Sequence, residues 1–280
     1  MVLCLAWSWS FPWPAAAHGP IHEQIAALTS RIEADPQNAA LYLKRGELQS
    51  HDRHWDEALA DYARAAQLDP TLAAVDLARG KTLLHAGSPD RAKSALDRFL
   101  AAHPEHAEAL ATRARALVIL GQRLVATADY ARAIAATESR GRPNPEYYLE
   151  RARALAGEGG DHIGRALRGL EEGIERLGPI MSLQLEAITL ELAGKRYDAA
   201  LARLDALAAQ SPRQEPWLAR RGAILEQAGR GAEARRAYEQ ALVAIEALPA
   251  RHRAAEATAR LEAELRAALA RGSAHGEGTP

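Results

Sequence analysis

Apolar and polar positions alternate along most of this chain with the spacing of paired helices. The run holding Tyr42, Gly46 and Leu48 is about thirteen residues long without an internal proline, and it reads as a first helix. The polar stretch Ser50-His51-Asp52-Arg53 follows as a turn. A second helix then carries Ala58 and Tyr62, which share a face because positions i and i+4 stack on a helix. The same alternation resumes across the turn Ala86-Gly87-Ser88-Pro89. Two flanks show one apolar stripe each. Ile21, Ile25, Leu28 and Ile32 lie at helical spacing before Asp35-Pro36, and Leu261, Leu265 and Leu269 do so among Arg and Glu.

The pairs recur in register. Ala58, Ala92, Ala126, Ala166, Ala200 and Ala234 are separated by 34, 34, 40, 34 and 34 residues. Four residues after each stands a larger side chain: Tyr62, Leu96, Tyr130, Leu170, Leu204 and Tyr238. About thirteen residues before most of them, an arginine precedes a small residue: Arg45-Gly46, Arg79-Gly80, Arg113-Ala114, Arg151-Ala152 and Arg221-Gly222. The fifth unit has Glu186-Ala187 instead. Prolines 36, 70, 104, 143, 179 and 212 punctuate the units. A small residue on the first helix and an alanine on the second permit close approach of two axes, and the larger residue fills the space beside the contact. One such pair cannot bury its apolar face alone, so neighbours must stack.

This pattern resembles the tetratricopeptide repeat, whose 34-residue signature runs W-x₂-L-G-x₂-Y, then A-x₃-F, then P. The first unit reads Tyr42-Leu43-Lys44-Arg45-Gly46, then Trp55-Asp56-Glu57-Ala58-Leu59, Tyr62, Ala65 and Pro70, with Arg45 where leucine is usual. The last reads Leu218-Ala219-Arg220-Arg221-Gly222, then Ala234, Tyr238 and Ala241. The resemblance implies an all-α, right-handed superhelical solenoid of about six helix pairs with flanking capping helices. The expected boundaries are residues 1–19 as a leader or disordered N-terminus, 20–36 as a capping helix, and 37–248 as six repeats. Those repeats fall at 39–72, 73–106, 107–140, 145–179, 180–213 and 215–248, before a capping helix over 249–271 and a disordered tail over 272–280. An insertion near 137–144 and a glycine-rich turn at 157–161 loosen the fourth repeat.

Composition agrees with helices and narrows the function. Alanine, the best helix former, fills 64 positions, while aromatic residues make up only 5%. No run of 18 apolar residues occurs, so no membrane span is expected. Lys+Arg 35 against Asp+Glu 36 gives a formal charge of −1, which offers no whole-molecule field for nucleic acid. The single cysteine, Cys4, removes internal disulfides and cysteine-ligated zinc from consideration. It lies in an uncharged, largely apolar N-terminus that ends in Ala15-Ala16-Ala17, an A-x-A pattern suited to signal peptidase, although a basic n-region is missing. Export to a bacterial periplasm, with a mature start near His18, is the expectation; a cytoplasmic adaptor is the alternative. Arg outnumbers Lys by 31 to 4, as in proteins of GC-rich genomes.

No enzyme motif survives inspection. His22-Glu23-Gln24-Ile25-Ala26 lacks the second histidine of a zinc-protease helix. Gly157 to Gly164 has neither a preceding strand nor a following Gly-Lys-Ser/Thr, and no Gly-x-Ser-x-Gly elbow is present. His51, His54, His103 and His106 have spacings open to a metal carrier, kept as an alternative, but fall in expected turns without a carboxylate-rich partner set. No cofactor is expected. The resemblance instead points to the concave face, where first helices receive a segment of another protein. Carried over by register, one inward position holds Glu47, Lys81, Arg115, Arg153, Ile188 and Ala223. Lys81, Arg115 and Arg153 form a basic ladder, and Leu43, Leu77, Ala111 and Leu149, one turn earlier, an apolar strip beside it. The expected partner is an acidic, partly apolar protein segment. Chaperone-tail recognition through paired Lys and Asn is disfavoured, because Leu43 and Glu47 occupy those places.

Overall fold

The computed structural model describes residues 20–141 and 143–276, and every regular element among them is helical. The chain divides at Leu120 and Gly121 into two units. The first contains α1 (Pro20–Ala34), α2 (Ala39–His51), α3 (Trp55–Leu68), α4 (Ala74–His85), α5 (Pro89–Ala102) and α6 (Ala107–Ile119). Each packs on the next, and α4 also touches α2 and α6, so the first helices of successive pairs line one layer. The second unit contains α7 (Arg123–Glu138), α8 (Pro145–Ala156), α9 (His162–Leu177), α10 (Met181–Ala193), α11 (Tyr197–Ala208), α12 (Glu215–Gln227), α13 (Gly231–Glu246), α14 (Ala250–Arg253) and α15 (Glu256–Gly276). There too packing follows chain order from α7 to α13, with α8 against α10 and α15 folded back on α13. Both units are thus all-α stacks of tetratricopeptide-type helix pairs.

The turn in five of the helix pairs, all but α8–α9, shares one backbone device. Arg53, Gly87, Gly121, Lys195 and Gly229 all have φ between 56° and 77°. In four of these turns the next residue's N–H returns to a carbonyl five residues back: His54 to Gln49 at 2.8 Å, Ser88 to Leu83 at 2.8 Å, Arg196 to Glu191 at 2.7 Å and Arg230 to Leu225 at 2.9 Å. This closing bond satisfies carbonyls that the helix end would leave open. Helix α2 runs through Ser50 and His51, so its turn is shorter than the polar stretch predicts.

Packing inside each pair depends on the small residue read from the sequence. A Cβ placed on Gly46 would lie 2.6 Å from the Tyr62 ring, one on Gly80 2.6 Å from Leu96, and one on Gly222 2.2 Å from Tyr238. The register alanines Ala58, Ala92 and Ala234 are buried beside these contacts. Where the longer connection separates α7 from α8, Glu138 accepts hydrogen bonds from Tyr148 of α8 and Arg176 of α9. Those bonds hold its carboxyl below the usual range, while burial and the facing carboxylate push the Tyr148 phenol up to about 12.

The ends show two differences from expectation. The segment after Leu248 is two helices, because Pro249 starts α14 and the chain must turn again to lay Leu265, Ala268 and Leu269 on the core of the second unit. Thr258, buried early in α15, receives a hydrogen bond at 3.3 Å from Arg213 of the α11–α12 connection. The last helix also continues to Gly276 instead of stopping at 271, since a formed helix gains one bond per added residue and no proline intervenes. At the other end Leu28 and Ile32 of α1 bury against Leu41 of α2. Residues 1–19 and 277–280, which include the expected leader and the end of the expected tail, lie outside the described residues.

The crossing geometry makes a direct prediction. Gly222→Ala should destabilise the protein by about 1–3 kcal/mol through overpacking against Tyr238. Gly231→Ala, whose Cβ meets nothing within 4 Å, should leave stability unchanged or raise it by up to about 1 kcal/mol. Urea unfolding of the two variants followed by circular dichroism checks the ordering.

Candidate functional site

The crossing at Gly46 has a consequence on the far side of α2. With no side chain in its way, the Tyr62 ring passes under Gly46 and its hydroxyl reaches the floor of a cleft of roughly 460 Å³ between α2, α4 and α6. There Thr82, 1% exposed, lies 3.4 Å from the Tyr62 hydroxyl and its own hydroxyl meets Ser50 at 2.7 Å. Burial pushes the Tyr62 phenol above its ordinary value, with Thr82 drawing it partly back. Ala74, Leu77 and Ala78 of α4 give one apolar wall. The rim is ionic: Glu47, the pair Lys81 to Glu108 at 2.5 Å, and the imidazoles of His51 and His85.

Glu47 also borders a neighbouring hollow between α1 and α2, formed by Gln24, Ala27, Leu28, Arg31, Lys44 and Leu48. Its packed surroundings raise its carboxyl above the usual carboxylate range, opposed by the charges of Lys81 and Lys44. The cleft therefore has a hydroxyl floor, an apolar wall and a carboxylate that gains from a hydrogen-bond donor.

The structure brings Glu47, Leu77 and Lys81 of the expected groove together and disperses the rest. Leu43 is half-buried against the cluster of Ala58 and Tyr62. Ala111 is 0% exposed and Leu149 4% exposed, so neither belongs to a surface strip. The reason is packing on several sides: α6 is covered by α4 and α5, and α8 by α7, α9 and α10. Ile188 is core as well, packed with Ala200 and Leu204. The basic ladder is largely neutralised. Lys81 pairs with Glu108 of α6, and Arg153, in the other unit, pairs with Glu186 of α10 at 2.7 Å. Arg115 is half-buried on α6 and engaged as well. Exposed pairs of this kind contribute about 0–1 kcal/mol and leave little free positive field.

Sequence reasoning missed Ser50, Tyr62 as a hydroxyl, Thr82 and Glu108. Thr82 carried a usable signal, being a hydroxyl residue directly after the inward register position Lys81. The turn histidines have local roles. His54 and His22 flank Asp52 at 3.3 and 3.5 Å. His106 caps α6 by accepting the Ala109 N–H at 3.3 Å, and with His103 it packs on Phe99. Among the described residues no group of three or more His, Cys, Asp or Glu is placed to hold a metal ion. The fifth repeat, which lacks the arginine of its siblings, uses Arg203 of α11 instead. That guanidinium binds buried Glu191 at 2.9 Å, Gln184 at 2.7 Å and Glu171.

Comparison with known proteins agrees with this architecture. Residues 73–116 match the family model described as tetratricopeptide repeat. No curated protein matches the chain by sequence. Among solved structures the chain is similar to YrrB, a tetratricopeptide protein with an unusual peptide-binding site, at TM-score 0.54 and 23% identity, covering 69% of this chain and 97% of that one. It is similar to PilW, a widely conserved type IV pilus biogenesis factor, at TM-score 0.58 and 21% identity, covering 71% and 90%. A tetratricopeptide protein from Parabacteroides merdae aligns at TM-score 0.57 and 17% identity over 91% and 93%. The chain has the tetratricopeptide-repeat fold: helix pairing and turn geometry agree with these structures, and residues 73–116 match that family's model.

Proposed function

We propose that this protein is a non-catalytic interaction scaffold that receives a segment of a partner protein in the cleft between α2, α4 and α6. The observation that carries this reading is the composition of the cleft. Leu77, Ala74 and Ala78 suit one apolar side chain of the segment, and the linked hydroxyls of Ser50, Thr82 and Tyr62 suit its backbone or an amide. Repeat proteins use extended surfaces of this kind for partners, and YrrB has a peptide-binding site on a related scaffold.

The charge of the cleft revises the partner's chemistry. Glu108 pairs with Lys81, while Glu47 makes no ion pair with another described residue and feels Lys81 and Lys44 only as nearby charges. A segment with a basic or amide donor beside an apolar anchor therefore fits better here than an acidic one. Charge at such a rim acts mainly on encounter and orientation, while the buried anchor supplies affinity.

Export completes the proposal. The Ala15-Ala16-Ala17 ending of the apolar N-terminus supports cleavage and work in a bacterial periplasm. Mass spectrometry of protein from its native host should find His18 as the first residue; an intact Met1 terminus in the soluble cytoplasmic fraction would contradict export.

The cleft is tested by titration calorimetry with a partner segment identified by affinity capture. Leu77→Glu should weaken binding at least about tenfold by placing a charge on the apolar wall. Arg153→Glu, in the other unit, should leave it unchanged. Equal affinity for wild type and Leu77→Glu would move the site elsewhere.

A further inference from the structure

A second surface lies on the second helices of the other unit. The stripe at two positions before and one, two and five positions after each register alanine follows one helix face at i, i+3, i+4 and i+7. In α3, α5, α9, α11 and α13 this stripe includes charge, such as Asp56, Asp90, Arg168, Asp198 and Arg235. In α7 it reads Leu124, Thr127, Ala128 and Ala131 and includes none. Leu124 is 47% exposed. A surface helix that gives up charge along one outward face is not explained by its own solvation.

That stripe is one wall of a hollow of roughly 570 Å³. The opposite wall is a face of α9 one residue out of that register, with Arg165, Arg168, Gly169 and Glu172, and Leu155 of α8 also lines the hollow. Arg151 is already occupied, by Glu172 at 2.8 Å and by the Gly169 carbonyl at 3.3 Å. Arg165 and Arg168 are exposed and make no ion pair or hydrogen bond with another described residue. The trough thus presents an uncharged wall of small side chains, a glycine on the other wall, and two guanidiniums available along one edge.

We propose that this trough docks a short amphipathic helix of a partner protein, its apolar stripe on Leu124, Ala128 and Ala131 and its acidic edge on Arg165 and Arg168. Small residues let a helix approach closely, and both walls of the hollow carry residues at i, i+3, i+4 and i+7 spacing. The α7 stripe extends about 10 Å, so an occupant of two to three turns spans it. Guanidinium recognises carboxylate with a planar fork of donors, which selects an acidic helix over a neutral one. The site is separate from the α2–α4–α6 cleft and does not depend on it.

The test is selection of a random 16-residue peptide display library on the full-length protein, with a 20-residue oligothymidine as a second probe. Enriched peptides should combine Leu or Met at helical spacing with at least two Asp or Glu on one flank. In fluorescence anisotropy they should lose at least about tenfold in affinity for Arg165→Glu/Arg168→Glu and for Ala128→Glu, and bind Leu77→Glu as they bind wild type. Because the three altered side chains are exposed, circular dichroism should show unchanged melting. Selection that yields no peptide sensitive to these substitutions overturns the proposal. So does an enriched pool without acidic residues, or oligothymidine binding that depends on Arg165 and Arg168 where peptides do not.

Discussion

Contact between a glycine on one helix and a large side chain on the next governs this protein. Gly46 meets Tyr62, Gly80 meets Leu96 and Gly222 meets Tyr238, each at a separation of sixteen residues. A methyl group at any of the three would sit inside the partner's van der Waals surface. The same contact serves two levels of the structure. It sets how closely the helices of a pair approach, and at Gly46 it delivers a phenol to the floor of a cleft that α2 alone could not provide. Overpacking such a crossing costs about 1–3 kcal/mol, a large share of the margin by which a domain is stable.

That constraint explains what the chain revealed before any coordinates. The spacing of Ala58, Ala92, Ala126, Ala166, Ala200 and Ala234 encodes a packing contact, so it located the helices closely. Three kinds of feature were less visible. Coverage was one: Ala111 and Leu149 keep the register of the first-helix face, yet helices on either side enclose them, and periodicity along one helix says nothing of what lies against it. Pairing was another. Lys81 and Glu108 are 27 residues apart and Arg153 and Glu186 are 33 apart, neither a multiple of the repeat, so a basic ladder in sequence became neutral pairs in space. Backbone conformation was the third, since Arg53 and Lys195 adopt the left-handed turn that glycine marks at residues 87, 121 and 229.

Charge balance across the whole chain conceals local contrast. The rim of the cleft in the first unit carries Glu47, a carboxylate without an ion pair to another described residue, whereas the trough in the second unit carries guanidiniums at Arg165 and Arg168. The acidic partner expected from the ladder on the first helices is proposed for the second helices instead. Arg203 illustrates the complementary case. A residue that looks like one more exposed arginine is committed to Glu191, Gln184 and Glu171, and removing it would leave the buried Glu191 without its cation at a cost of about 3–5 kcal/mol.

Site-specific photocrosslinking tests the cleft most directly. Benzoylphenylalanine introduced at Leu77, on the apolar wall, and separately at Ala63, on the exposed face of α3, is irradiated with the native partner bound, and the adducts are mapped by mass spectrometry. The account predicts that position 77 crosslinks to one short partner segment containing an apolar residue beside a basic or amide side chain, and that position 63 does not. Efficient crosslinking at 63 with none at 77 would contradict it.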